Sequence, residues 1–239
     1  MTTILVNGTG PLVFQEDKEQ HTKQSFLYWL QEHPAHIAGH AAAEYRMYME
    51  VKHHLGNVDS AVEYFGGIGV GTMLIQHLLK PKDHTVYELD MACVTHLEGQ
   101  KWPGDVSVVY GDSSEAMGKV YGQMVACDFG QFTASQLEKW SEPLDRMFAR
   151  EPDAVCITDT SITRFWPNRK RYENILGDTF ADPPGYYLAM GRHVKKRWGY
   201  NLRLAMFRYG FAGYMLFYKE HGHETLIEKA PQVDQLTVL

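Results

Sequence analysis

The stretch VEYFGGIGVGT, residues 62–72, decides how this chain is read. A short apolar strand over 61–65 runs into glycines at 67, 69 and 71. Leu74, Ile75, Leu78 and Leu79 then follow at helical spacing, and Pro81 stops the helix. Glycines between a strand and a helix let the backbone turn sharply and come close to a ligand. A dinucleotide site would want G-x-G-x-x-G, but Thr72 stands where the third glycine belongs. Glu63, just before the glycines, would repel a pyrophosphate and suits a cationic ligand. A tight turn with no ligand is the competing reading.

Outward from this turn the chain alternates strand and helix, the pattern of a mainly parallel sheet covered on both faces. Strands are expected at 61–65, 85–89, 106–110, 123–127 and 154–158, with helices at 72–80, 91–99 and 134–150. Segments 200–209 and 213–219 are joined by only three residues, so they must pair antiparallel. Residues 4–14 suggest two short strands around Asn7-Gly8, and helices are expected at 24–31 and 39–55, the latter closed by Gly56. The tail after Glu220 has weak periodicity and is left unassigned. The fold class is therefore α/β: a doubly wound, mostly parallel sheet of about seven strands with an antiparallel final hairpin and helices on both faces.

Composition sets the bounds. The chain has 239 residues, 44% hydrophobic and 22% charged, which excludes wholesale disorder. No apolar run approaches the roughly 20 residues that cross a bilayer. Residues 1–4 have no basic n-region and Asn7-Gly8-Thr9-Gly10-Pro11 breaks any signal core, so a cytoplasmic protein with no membrane partner is expected. Three cysteines, Cys93, Cys127 and Cys156, lack C-x-x-C spacing, which argues against disulfides and a thiolate zinc site. His33, His36 and His40 fall at helical spacings and His221-Gly-His223 lies near the end, but in a chain with twelve histidines solvated or capping residues are expected rather than a metal site. Net charge is −6, but it is unevenly spread. Residues 164–208 carry ten Lys and Arg against three acids, giving +7, so the rest of the chain is −13.

Glu63-x-Phe65-x-Gly67-x-Gly69 resembles the first motif of the class I, Rossmann-like S-adenosylmethionine-dependent methyltransferases, with Phe in place of the first glycine. Further landmarks come in the family's order. An acid should end the second strand, with apolar residues five, six and nine positions on. Glu88 satisfies this with Cys93, Val94 and Leu97, whereas Asp90 does not. Asp112 and Ser113 follow the third strand, and Asp128 ends the fourth. The resemblance covers about residues 58–218. It implies that Glu63, Phe65, Gly67, Gly69, Gly71, Glu88, Asp112 and Ser113 bind S-adenosylmethionine, and that Asp128 and Asp159 lie at the reaction centre. It implies one methyltransferase-like domain over 1–239: an N-terminal helical extension (1–57), a cofactor-binding core (58–163), a basic and aromatic acceptor-side segment (164–199) and a terminal β-hairpin (200–219).

Three readings of the function remain. In the first the methyl acceptor is RNA or DNA, because residues 164–208 interleave cations with Phe165, Trp166, Tyr172, Tyr186, Tyr187 and Trp198. In the second, Asp128 and Asp159 hold Mg²⁺ in an O-methyltransferase of small hydroxylated molecules, similar to the catechol-type enzymes. Thr160 stands where those enzymes carry Asn, so no metal ligand is assigned. The third is a non-catalytic cofactor-binding partner subunit. ADPPGYY (181–187) looks like the D-P-P-Y motif of amino-methylating DNA enzymes, but Gly185 interrupts it and a proline turn is expected instead. The oligomeric state is not legible.

Overall fold

MVAC and AVCI are four-residue runs apolar at every position, a composition suited to strands covered on both faces. They form β6 (Met124–Asp128) and β7 (Ala154–Asp159) in a computed structural model that describes residues 2–6, 10–14, 34–128, 141–159, 183–207, 213–219 and 232–233. The chain opens with an antiparallel pair, β1 (Thr2–Val6) and β2 (Gly10–Phe14), and then α1 (Pro34–Leu55). The alternating core follows as β3 (Ser60–Tyr64), α2 (Val70–Leu78), β4 (Asp83–Glu88), α3 (Met91–Glu98), β5 (Val106–Tyr110) and α4 (Ser113–Ala116). After β6 come α5 (Ser141–Phe148) and β7, then α6 (Pro183–Trp198), β8 (Asn201–Phe207), β9 (Gly213–Tyr218) and β10 (Gln232–Val233).

The main sheet has the order β10-β8-β9-β7-β6-β3-β4-β5. β3, β4, β5, β6 and β7 are mutually parallel, and β9 runs antiparallel to both β7 and β8. From β3 the strand order steps outward to β4 and β5 on one side and to β6 and β7 on the other. The carboxyl ends of β3 and β6 therefore flank a topological switch point, where open α/β sheets bind their ligands.

Strand alternation sorts the core into two layers. Ala61, Met124, Ala126, Ala154, Cys156 and Leu216 face α1 and α2. Val62, Tyr64, Val125, Cys127, Val155, Ile157 and Phe217 face Leu144 and Phe148 of α5 and Met190 and Val194 of α6. By the same alternation Glu63 lies on the α1 side. Helix α1 ends where Gly56 takes φ 73° and its N–H closes on the Lys52 carbonyl at 2.9 Å. Glu50 fastens this helix to the terminal hairpin, accepting from Arg203 Nε at 2.8 Å and from Tyr214 Oη at 2.6 Å.

The structure corrects the sequence reading in several places. α1 begins at Pro34, five residues before the expected start. The prolines read as a turn instead open α6, because a helix tolerates proline in its first turn, where the missing N–H has no intrahelical partner. A short eighth strand, β10, pairs parallel with β8 at Met206 and Phe207. The other strand ends lie within two residues of expectation, and β5 matches it at both ends. The helix expected at 24–31 and residues 134–140 of the one expected at 134–150 lie outside the described residues.

Phe148 is fully buried, with edge contacts to Tyr200 (4.8 Å between centroids) and Phe217 (5.3 Å). Phe148→Ala should cost about 3–5 kcal/mol in urea unfolding. Tyr121→Ala, at an exposed position, should change stability by less than about 0.5 kcal/mol. Equal losses in the two variants would contradict this assignment of the core.

Candidate functional site

The turn after β3 is held in a backbone conformation that few residues adopt. Phe65, Gly67 and Gly69 have φ of 63°, 53° and 83°, all left-handed. Phe65 accepts this strain at the position where the resembled motif carries glycine. Tyr87, at the end of β4, provides the compensation. Its carbonyl accepts from Phe65 N at 3.0 Å, Gly66 N at 3.2 Å and Ser113 Oγ at 3.2 Å. Ser113 is fully buried and lies within hydrogen-bond reach of both the Tyr87 carbonyl and Phe65 N, at 3.1 Å. Its observed partners are thus backbone groups, one in the turn and one in β4.

Glu88 locks the same turn from the neighbouring strand. One carboxylate oxygen accepts from Gly67 N at 2.7 Å, and the other from Leu89 N at 2.7 Å and Asp90 N at 2.8 Å. Burial raises the Glu88 carboxyl above its ordinary range, and the three N–H donors act in the opposite direction. A carboxylate offers about four acceptor positions, so one remains for a further donor. Leu89 and Met91 beside it are both 53% exposed, and Tyr110, its register partner on β5, is 56% exposed. Glu88 therefore lies within a rim of exposed apolar side chains, of which the sequence reading named none. An apolar residue directly after a strand-end acid was the available signal. Asp112 stands at the exposed end of β5 and caps α4, accepting from Ser114 N at 2.8 Å.

Gly71 plays a different part from Gly67 and Gly69. A Cβ there would lie 2.5 Å from Glu63 Oε1, 3.1 Å from Glu44 Oε1 and 3.4 Å from Tyr48 Oη. The glycine thus leaves space where two buried carboxylates converge. Glu63 Oε2 accepts from Thr72 Oγ1 at 2.6 Å and lies 3.4 Å from His84 Nε2, which makes no hydrogen bond. Glu44, from α1, was not picked out in the sequence. It sits on the stripe Ala41-Glu44-Tyr48-Val51, all buried, and an acid on such a stripe is the signal that was missed. Burial, then the charges of Glu63 and Asp128, push its carboxyl well above the ordinary carboxylate range.

Asp128 ends β6, half-buried, in register with Thr158. Asp159 stands one residue further along β7, level with Gly213 of β9, so the two aspartates are not register partners. Among the described residues no group of three or more His, Cys, Asp or Glu has the geometry of a metal site. The described donors therefore do not assemble the expected Mg²⁺ set, and no step is derived through a metal. Cys127 is buried on the α5 and α6 side.

The basic segment is divided by the fold. Residues 160–182 lie outside the described residues. Lys195, Lys196 and Arg197 form the last turn of α6, immediately before β8. Asn201 pairs with Tyr218, which pairs with Ala154, so this turn sits at the amino ends of the strands, away from the glycine turn. Arg197 Nε pairs with Asp145 at 3.1 Å and Arg203 with Glu50. The segment expected on the acceptor side thus has its last helical turn at the amino ends of the strands. No helix among the described residues is long and apolar enough to cross a membrane.

No family model matches the chain, and no curated protein sequence matches it. Solved structures do. The plantazolicin methyltransferase BpumL, in complex with a triazolic desmethylPZN analog and SAH, superposes with a TM-score of 0.55 at 11% identity, over 81% of this chain and 89% of that one. The methyltransferase domain of bacterial CtHen1 gives 0.52 at 12% identity, over 74% and 98%. At such identities the likeness concerns architecture. The strand order, the antiparallel final hairpin and these superpositions agree: the chain has the class I, Rossmann-like methyltransferase fold.

Proposed function

We propose that this protein is an enzyme transferring a methyl group from S-adenosylmethionine to an acceptor bound beyond the carboxyl ends of β3 and β6. One observation carries the reading: the left-handed turn over 65–69 is clamped by Glu88 at the switch point of the sheet, with acids at the ends of β3, β4 and β6. A pyrophosphate would meet Glu63, Glu88 and Asp128 as repulsion. A sulfonium-bearing nucleoside meets them as complement. The remaining acceptor position of Glu88 suits a ribose hydroxyl. Exposed Leu89 and Met91 offer the purine an apolar surface.

Methyl transfer is an in-line displacement, so catalysis consists mainly of holding the acceptor atom against the methyl group and excluding water. Asp128 is the described polar side chain best placed to orient an acceptor, because it ends the strand beside the glycine turn. The finer reading is a nucleic-acid acceptor whose phosphates are met by Lys and Arg of the segment 164–208. Its support is the +7 charge of residues 164–208, now without Lys195, Lys196 and Arg197.

Calorimetry should show S-adenosylhomocysteine binding in the micromolar range, about 8 kcal/mol. Glu88→Ala should weaken it by roughly 1–3 kcal/mol through the lost charge-assisted hydrogen bond to ribose. Tight NAD binding in its place would overturn the cofactor assignment. With labelled S-adenosylmethionine and separate pools of RNA, DNA and small metabolites, label in RNA or DNA supports the nucleic-acid acceptor and label in metabolites alone contradicts it. Replacing Lys195, Lys196 and Arg197 together by Ala should change turnover on the labelled pool less than twofold. A large loss would bring the acceptor across the amino edge of the sheet.

A further inference from the structure

We propose that Glu44 is a positioning residue for the cofactor: with Glu63 it seats the ammonium of the cofactor's amino-acid end, and the arriving cation replaces a proton on the Glu44 carboxyl. This rests on the reading of the crevice as an S-adenosylmethionine site.

Three observations converge. Glu44 Oε2 is buried and makes no hydrogen bond. Glu44 Oε1 and Glu63 Oε1 both crowd the space above Gly71, in the first turn of α2, so any side chain at that position would displace them. The groups facing Glu44 are Glu63 from β3, Asp128 from β6, Cys156 from β7 and Tyr48 from its own helix, with His84 of β4 behind Glu63. Among the described residues none of these is a Lys or Arg. Six residues along α1, Glu50 has Arg203, whereas no ion pair to Glu44 occurs among the described residues.

A buried carboxylate persists only when paired or neutralised. In the free protein neutralisation falls to a proton, since burial and the neighbouring acids raise the Glu44 carboxyl. A cofactor cation provides the alternative. The ammonium has three N–H donors, which matches two convergent carboxylates, whereas the sulfonium has none and must face the acceptor. On binding, the Glu44 O–H bond breaks, the proton passes to solvent, and the carboxylate accepts an N–H from the ammonium. Binding and proton release are then linked reciprocally.

The linkage also fixes a stability sign. A carboxyl raised on folding contributes stability below its unfolded range that is lost as pH rises through the folded value. Cofactor-free Glu44→Gln should therefore resist urea at least as well as wild type at neutral pH, which establishes that the variant is folded.

The test is calorimetry of the full chain in phosphate and in Tris, whose ionisation enthalpies differ. Wild type should release protons on binding S-adenosylhomocysteine, and affinity should rise with pH, by at most about tenfold per pH unit, while Glu44 is protonated. Methylthioadenosine, which lacks the amino-acid end, should release none. Glu44→Gln should bind S-adenosylhomocysteine at least about tenfold more weakly without releasing a proton, and should bind methylthioadenosine like wild type. Unchanged affinity and pH slope in Glu44→Gln, or equal proton release by both ligands, overturns the seat while leaving the cofactor reading intact. If wild type binds neither ligand, the cofactor reading fails and the seat fails with it.

Discussion

The turn after β3 must leave the sheet at its switch point in a left-handed backbone conformation, and it does so only because β4 holds it. Three left-handed residues in five would not persist on local preference alone, least of all with Phe65 among them. The end of β4 compensates twice: the Tyr87 carbonyl takes two backbone N–H groups and the Ser113 hydroxyl, and the Glu88 carboxylate takes Gly67 N. Parallel pairing of β3 with β4 places Tyr64 level with Tyr87, so the carboxylate of Glu88 arrives where the turn begins. The rest of the site depends on that register.

Charge is the second constraint. Glu44, Glu63 and Glu88 are all buried near the carboxyl ends of the central strands, and Asp128 lies beside them half-exposed. Such a concentration of acid is costly in a folded protein unless hydrogen bonds, protons or a bound cation offset it. Glu88 is offset by three N–H groups, and Glu63 in part by Thr72. Glu44 is the member with a buried oxygen, Oε2, that makes no hydrogen bond among the described residues.

The architecture was legible where the sequence carries unambiguous periodicity. The fully apolar runs of β6 and β7 and the strand–glycine–helix passage at 62–72 each admit one reading. Glu88 was preferred to Asp90 because the resemblance requires apolar residues five, six and nine positions on, and the three residues at those positions, Cys93, Val94 and Leu97, are buried in the structure. What sequence could not give was depth and edge. Lys195, Lys196 and Arg197 read as an acceptor surface, but a cationic last turn also suits a helix C-terminus. Only the β7–β9–β8 register shows which edge of the sheet they occupy. Glu44 was overlooked because an acid in a long amphipathic helix ordinarily faces solvent. β10, two residues long, has no periodicity to detect.

The most direct test of the account is a crystal structure of the protein with S-adenosylhomocysteine. The account predicts the ribose hydroxyls on Glu88, the adenine against Leu89 and Met91, and the amino-acid end directed at Glu44 and Glu63. A ligand bound outside the crevice between the carboxyl ends of β3 and β6, or one in which Glu88 contacts no ribose oxygen, would contradict it.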